Sequence, residues 1–307
     1  MAKEVRFEGV YPILVTPFDD RENVDLESFA RVVSFMAEIG ADGVTILGVL
    51  GESNRMVDVE REALIRTAVA AAAGRIPVVV GTSHRGTRAA RELGRTAESL
   101  GADAVMVTPA REPVPSEERV FEFFREAAEG ISIPLVVQDH PASTEVHMPV
   151  PLLLRMVDEI PRVACIKEEA TPTPVRIAAL CRGMTGRRVP ILTGLGALYG
   201  LFDLEAGSRG FMTGFAFPEV LIAMVRAARN NRMDEARAIY SRFLPLIVFE
   251  QQPGVAVRKE IYRMRGLIAA GRVRHPGAGL GAFAAGQLRG LLDKVLPGVD
   301  ITKPVAV

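Results

Sequence analysis

The chain contains no tryptophan, only two cysteines (Cys165 and Cys181) and only four histidines in 307 residues. Two thiols cannot build the disulfide framework of a small secreted scaffold. His84, His140, His147 and His275 show no ligand spacing with each other or with the cysteines, so neither a metal site nor a cofactor is expected. An excess of one charge is also missing: Lys+Arg and Asp+Glu both total 37. That balance argues against nucleic acid or a membrane surface as partner. No apolar run approaches membrane-spanning length, and the opening "MAKEVRFEGV" carries no signal-like apolar stretch. A cytoplasmic, reducing location is the expectation. Lysine is scarce as well, with only Lys3, Lys167, Lys259, Lys294 and Lys303. Four of these stand near the termini or in C-terminal helical segments, and arginine supplies the ordinary surface charge.

What the chain does have is alternation. Eight short runs rich in Val and Ile recur between longer amphipathic segments: "YPILVTP" from Tyr11, "GVTILG" from Gly43, "IPVVVG" from Ile76, "DAVMVTP" from Asp103, "IPLVVQ" from Ile133, "VACIK" from Val163, "VPILTG" from Val189 and "RGFMTG" from Arg209. Runs without polar alternation read as parallel strands covered on both faces. The segment "DLESFARVVSFMAEIG" predicts a helix, with Leu26, Phe29, Val33, Met36 and Ala37 on one face, Asp25 as N-cap and Gly40 as stop. An internal echo, "EIGADGVTIL" and "SLGADAVMVT", repeated more loosely as "EAGSRGFMTG", favours stacked βα units. The expected fold is a (β/α)8 TIM barrel over residues 1–230. A helical extension over 231–307 packs on it as part of one structural unit. A doubly wound open sheet is the structural alternative.

On the barrel reading, "VACIKEEAT" carries Lys167 to the end of strand six, the face where barrel enzymes place catalytic groups. Desolvation there favours the neutral amine, which can condense with a 2-oxo acid to an electron-withdrawing iminium. The bland reading pairs Lys167 with Glu168 or Glu169 as loop decoration. After strand two, "GVLGES" places Gly48 and Gly51 in a tight turn whose amides can hold a carboxylate.

Together "PILVTPF", "GVLGES", "ACIKEEAT" and "VRKEIYRMRGLIAAGRVRHP" resemble the dihydrodipicolinate synthase / N-acetylneuraminate lyase family of class I Schiff-base (β/α)8 enzymes, in order and over nearly the whole chain. The resemblance implies Lys167 as the Schiff-base former and the backbone of Val49 and Leu50 as a carboxylate cradle. It also implies pocket closure by Gly194 and Met212, and a homotetramer built from tight dimers. The departures are specific. Val49 stands where the synthases carry a relay threonine, and Ala110 and Arg111 where paired tyrosines are usual. Gln138, in "QDHPASTEV", replaces the tyrosine of the fifth strand, and Ser143 replaces an arginine. No relay hydroxyl is left. His140 and Asp139 become the candidate acid–base groups, with Glu52 and His84 as further candidates. Gln138 is expected to orient substrate and Arg111 to recognise a second acidic group. Period-two alternation puts Gln138 and His140 on one face and Asp139 on the other.

The resulting expectation is a Schiff-base lyase, aldolase or dehydratase acting on pyruvate or a 2-oxo sugar acid. The alternatives are a true 4-hydroxy-tetrahydrodipicolinate synthase or a non-catalytic barrel that binds 2-oxo acids. A metal-dependent aldolase is the weakest reading, since no ligand spacing supports it.

Overall fold

The computed structural model describes residues 5–113, 116–252 and 254–307; Lys3 lies outside them. Eight parallel strands form, seven of them on the expected apolar runs and the first just ahead of the run from Tyr11: β1 (Gly9–Val10), β2 (Val44–Ile46), β3 (Val78–Gly81), β4 (Ala104–Val107), β5 (Leu135–Asp139), β6 (Val163–Glu168), β7 (Ile191–Thr193) and β8 (Gly210–Phe211). The hydrogen-bonded order runs β1-β8-β7-β6-β5-β4-β3-β2, and an Ile13–Thr45 bridge closes the circle. The first strand is short because Pro12 has no N–H to give the ladder. The chain beyond it still reaches both neighbours, Tyr11 N donating to Phe211 O and Leu14 N to Thr45 O. The fold is the (β/α)8 barrel, with additional C-terminal helices Met233–Phe249, Val255–Met264 and Ala282–Val295.

Alternation along the strands sorts two cores. Outward residues such as Val105, Leu135, Val137 and Ile166 meet the helices in one large cluster, which also takes in Phe243, Leu246 and Ile261 of the C-terminal helices. Inward residues form a smaller cluster of Phe7, Tyr11, Ile13, Val79, Ala104, Met106, Val136, Cys165, Leu192 and Met212 that plugs the barrel. Each such fully buried apolar side chain contributes about 1.5–3 kcal/mol, so the barrel centre is a floor and not a pore. The polar inward side chains, Gln138, Lys167 and Glu169, stand above that floor.

The helix Leu26–Glu38 begins and ends as expected: the Asp25 carboxylate accepts from Ser28 N at 2.9 Å, and Gly40 takes φ 79°. Its buried face is rotated slightly, with Val32 and Phe35 inside and Leu26 37% exposed. The Gly-Ala-Asp echo has a physical cause. Asp42 accepts from Val10 N and Asp103 from Val78 N, each at 2.8 Å, so each aspartate caps an amide of a preceding strand. Among the described residues no helix is long and apolar enough to cross a membrane.

Candidate active site

Register decides what faces the barrel mouth. Gln138 on β5 is paired with Lys167 on β6, and Lys167 with Leu192 on β7; one step on, Asp139 is paired with Glu168. Cys165 is inward, so Lys167 stands one layer above it and Glu169 one layer higher still. Lys167 is 4% exposed, and its Nζ lies 3.0 Å from Glu169 Oε2. The two line a cavity of about 170 Å³ together with Ile13, Val49, Leu50, Gln138, His140, Thr213, Gly214 and Arg258. A larger cleft, about 570 Å³, opens at the other end of the strands beside Val189, Ser208 and Arg209. Among the described residues no lysine lines it, its ion pair being Arg229 with Glu8, and it lies on the face where barrels place stability and not chemistry.

Glu169 is the residue that sequence reasoning passed over as decoration. Its Oε2 accepts from Gln138 Nε2 at 2.7 Å and its Oε1 from Leu195 N at 3.0 Å. Burial alone would raise its carboxyl; the Lys167 charge, His140 and these two donors outweigh that and hold it below its ordinary value. Gly194 has a different part from the one expected. A Cβ there would sit 2.0 Å from Glu169 Oε1, so the missing side chain is what lets the carboxylate fold over the lysine. The expected bare amine is therefore an amine with a carboxylate partner.

His140 joins the cavity, its Nδ1 2.7 Å from Ser143 Oγ. Burial pushes the imidazole below its usual value, with Lys167 adding to the shift and Glu169 opposing it. Asp139 does not join. It points outward, fully buried, onto Arg176 Nη2 at 2.5 Å, and Arg176 Nε also holds Glu168 Oε1 at 3.2 Å. Alternation foretold this outward turn; the catalytic expectation for Asp139 yields to it. Arg111 is also displaced from the cavity: it is exposed and ion-paired with Glu145. Met212 belongs to the apolar floor, and the next residue, Thr213, brings a hydroxyl to the cavity, its Oγ1 accepting from Gly196 N at 2.7 Å. One hydroxyl is thus present that the sequence reading had not counted. None of the four tyrosines lines the cavity.

The glycine turn is a one-turn 3-10 helix, Val49–Gly51, stabilised by Thr16 Oγ1 donating to Gly51 O at 2.7 Å. Its internal bonds use the N–H groups of Gly51 and Glu52, leaving the amides of Val49 and Leu50 at its head unused by the turn itself. Glu52 takes a left-handed φ of 55°, a conformation that costs a non-glycine residue of order 1–3 kcal/mol. Its carboxylate is fixed by Arg55 at 2.6 Å, by Arg274 N at 3.0 Å and by Lys259, so it is a structural anchor and not a proton carrier. His84 is away from the site; its Nδ1 accepts from Gly86 N at 2.9 Å.

A (β/α)8 barrel with a buried lysine and carboxylate at the C-terminal end of β6 is the architecture of a lyase-type barrel enzyme. Residues 6–293 match the dihydrodipicolinate synthetase family, and the chain belongs to it. It is 39% identical over 277 residues to an L-2-keto-3-deoxyarabonate dehydratase of Azospirillum brasilense, covering 88% of this chain and 89% of that one. It is 34% identical over 274 residues to a 4-hydroxy-tetrahydrodipicolinate synthase of Persephonella marina, covering 88% and 92%. Among solved structures, a dihydrodipicolinate synthase from Rhodopseudomonas palustris superposes with a TM-score of 0.89 at 33% identity, covering 94% of this chain and 97% of that one.

Proposed function

We propose that the protein is a Schiff-base dehydratase that removes water from a 2-oxo-3-deoxy sugar acid. The observation that carries this is the Lys167–Glu169 pair, 3.0 Å apart, in a cavity with no tyrosine. The similarity to a dehydratase supports it.

In this reading Glu169 first takes a proton from the Lys167 ammonium. The free amine adds to the C2 carbonyl, and loss of water leaves an iminium. The iminium acidifies C3–H; Glu169, its proton by then released with that water, removes the C3 proton and an enamine forms. The enamine expels the C4 hydroxyl, which leaves as water with the proton from Glu169. Hydrolysis frees Lys167 and the product, so the balance is one water lost per substrate. A single carboxylate suffices because it receives the proton it later returns. Gln138, donating to Glu169, and the amide of Leu195 hold that carboxylate in place. The amides of Val49 and Leu50 are assigned the substrate carboxylate, and His140, beside the cavity, the exchange of protons with solvent.

By resemblance the proposal extends to a cytoplasmic homotetramer, which sedimentation analysis checks. A synthase reading fits less well, since the residues that would replace its tyrosines are Gln138, Ala110 and Arg111. The test is borohydride reduction with pyruvate followed by peptide mapping, alongside turnover of 2-oxo-3-deoxy acids. An adduct on Lys167 with release of a dehydrated product is expected. No adduct with any 2-oxo acid would overturn the proposal.

A further inference from the structure

Part of the cavity wall comes from the C-terminal region, where Glu250, Gln251, Gly254 and Arg258 line it. Arg258, 2% exposed, stands in the first turn of the helix Val255–Met264. Its guanidinium is clamped on two of its three nitrogens: Nε and Nη2 donate to Glu250 Oε2 at 3.0 and 2.8 Å, and Nη2 also donates to Gly214 O at 2.7 Å. The other oxygen of Glu250 accepts from Ala216 N at 3.0 Å. The third nitrogen, Nη1, is buried and has no partner. A buried guanidinium donor left without a partner is costly, which asks for an explanation in a group held this firmly. Gly214 keeps the approach to it open, because a Cβ there would lie 2.8 Å from Nη1 and 2.4 Å from Leu50 Cδ1.

The charge balance says what kind of atom belongs at Nη1. Arg258 and Glu250 already neutralise each other, both side chains being essentially inaccessible. A second carboxylate would bury a net negative charge, whereas a hydroxyl or carbonyl oxygen would take the free N–H and leave the balance unchanged. We infer that Arg258 Nη1 donates to an uncharged oxygen at the far end of the substrate chain, selecting a 2-oxo acid with a terminal hydroxyl over one with a second carboxylate. This rests on the assignment of Lys167 as the group that holds the oxo end.

Three five-carbon probes that cannot lose water from C4 separate the possibilities: 5-hydroxy-2-oxopentanoate, 2-oxopentanoate and 2-oxoglutarate. In equimolar competition under borohydride, the Lys167 peptide should carry the hydroxylated chain in excess of either competitor by about tenfold or more. Arg258→Lys keeps a charge against Glu250 but supplies no nitrogen at the Nη1 position, and should reduce that preference to about twofold. The paired change Arg258→Met with Glu250→Gln removes both charges together, so neither is stranded, and should do the same. Thermal shift with the same three acids reads the preference without covalent chemistry, so it still tests Arg258 if no adduct forms and the lysine assignment fails. Wild-type indifference among the probes, a preference for 2-oxoglutarate, or a preference that survives in both variants would each overturn the inference.

Discussion

Among the described residues two lysines are buried, and they do opposite things. Lys167 reaches the cavity from the end of a strand, with one carboxylate beside it and open space in front. Lys259, on the helix Val255–Met264, is 0% exposed and has no such space. Its ammonium is held by Glu52, donates to Arg272 O at 2.7 Å and lies 4.2 Å from the centre of the Phe18 ring. Burial pushes its pKa down to about 8, the Glu52 charge opposing the fall. Burial of an amine therefore does not mark it as catalytic. A cavity in front of it does. Lys259 ties the C-terminal helices to Glu52 and so to the turn carrying Val49 and Leu50, which is a structural task.

The comparison breaks most sharply at the first lysine. Lys167→Ala should abolish both the pyruvate adduct and turnover, a fall of at least about 10⁴-fold, because no second lysine among the described residues lines the cavity. Residual turnover near the wild-type rate would sink the distinction between the two lysines. Glu169→Gln keeps the shape and the Gln138 and Leu195 surroundings while removing the proton carrier. It should lower kcat by about 10²–10⁴-fold, while the pyruvate adduct still forms, more slowly, with solvent taking the lysine's proton. Equal loss of adduct and turnover would instead make Glu169 a support for the lysine alone.

The other lysine should answer in stability. Lys259→Ala leaves Glu52 buried with one partner fewer and should cost about 3–5 kcal/mol in chemical denaturation. At temperatures below its lowered midpoint, the pyruvate adduct on Lys167 should still form. Unchanged stability with lost adduct formation would reverse the roles assigned here.

Much of this was legible from the residues, and the exceptions share a cause. Seven of the eight apolar runs carry their strand, because a strand covered on both faces has no choice but to be apolar; the first strand, Gly9–Val10, lies just ahead of the run that begins at Tyr11. Alternation correctly separated Gln138 and His140 from Asp139. The same rule, carried two residues past Lys167, would have marked Glu169 as inward; the signal was there in "KEEA" and went unused. Thr213 was missed by one position, because β8 ends at Phe211 and the turn that follows breaks the period. Arg258, Glu250 and the burial of Lys259 carry no local signal. Their environment comes from helices folding back onto the barrel mouth, the Lys259–Glu52 contact spanning 207 positions, and only tertiary packing reveals it.

The contrast between open and sealed recurs on the two faces of β5–β6. Inward, Lys167 and Glu169 share a cavity; outward, Asp139 and Glu168 share a single arginine, and Asp139 Oδ1 and Glu168 Oε2 are buried without partners. One cation between two buried carboxylates cannot satisfy both charges. Burial and the Asp139 charge push Glu168 up to about 8, and burial raises Asp139 to about 6, Arg176 opposing both shifts. A carboxyl raised in the folded state binds its proton more tightly there than in the unfolded chain. Its contribution is therefore fully present below the unfolded value near 4.5 and is lost as pH rises through about 8. Wild-type stability should decline across that window, and Glu168→Gln, which needs no proton, should remove part of the decline. Its advantage over wild type should grow to about 1–2 kcal/mol at the alkaline end. Urea midpoints at pH 5, 6.5 and 8 read the difference; parallel curves for the two proteins would mean that Arg176 neutralises both carboxylates after all.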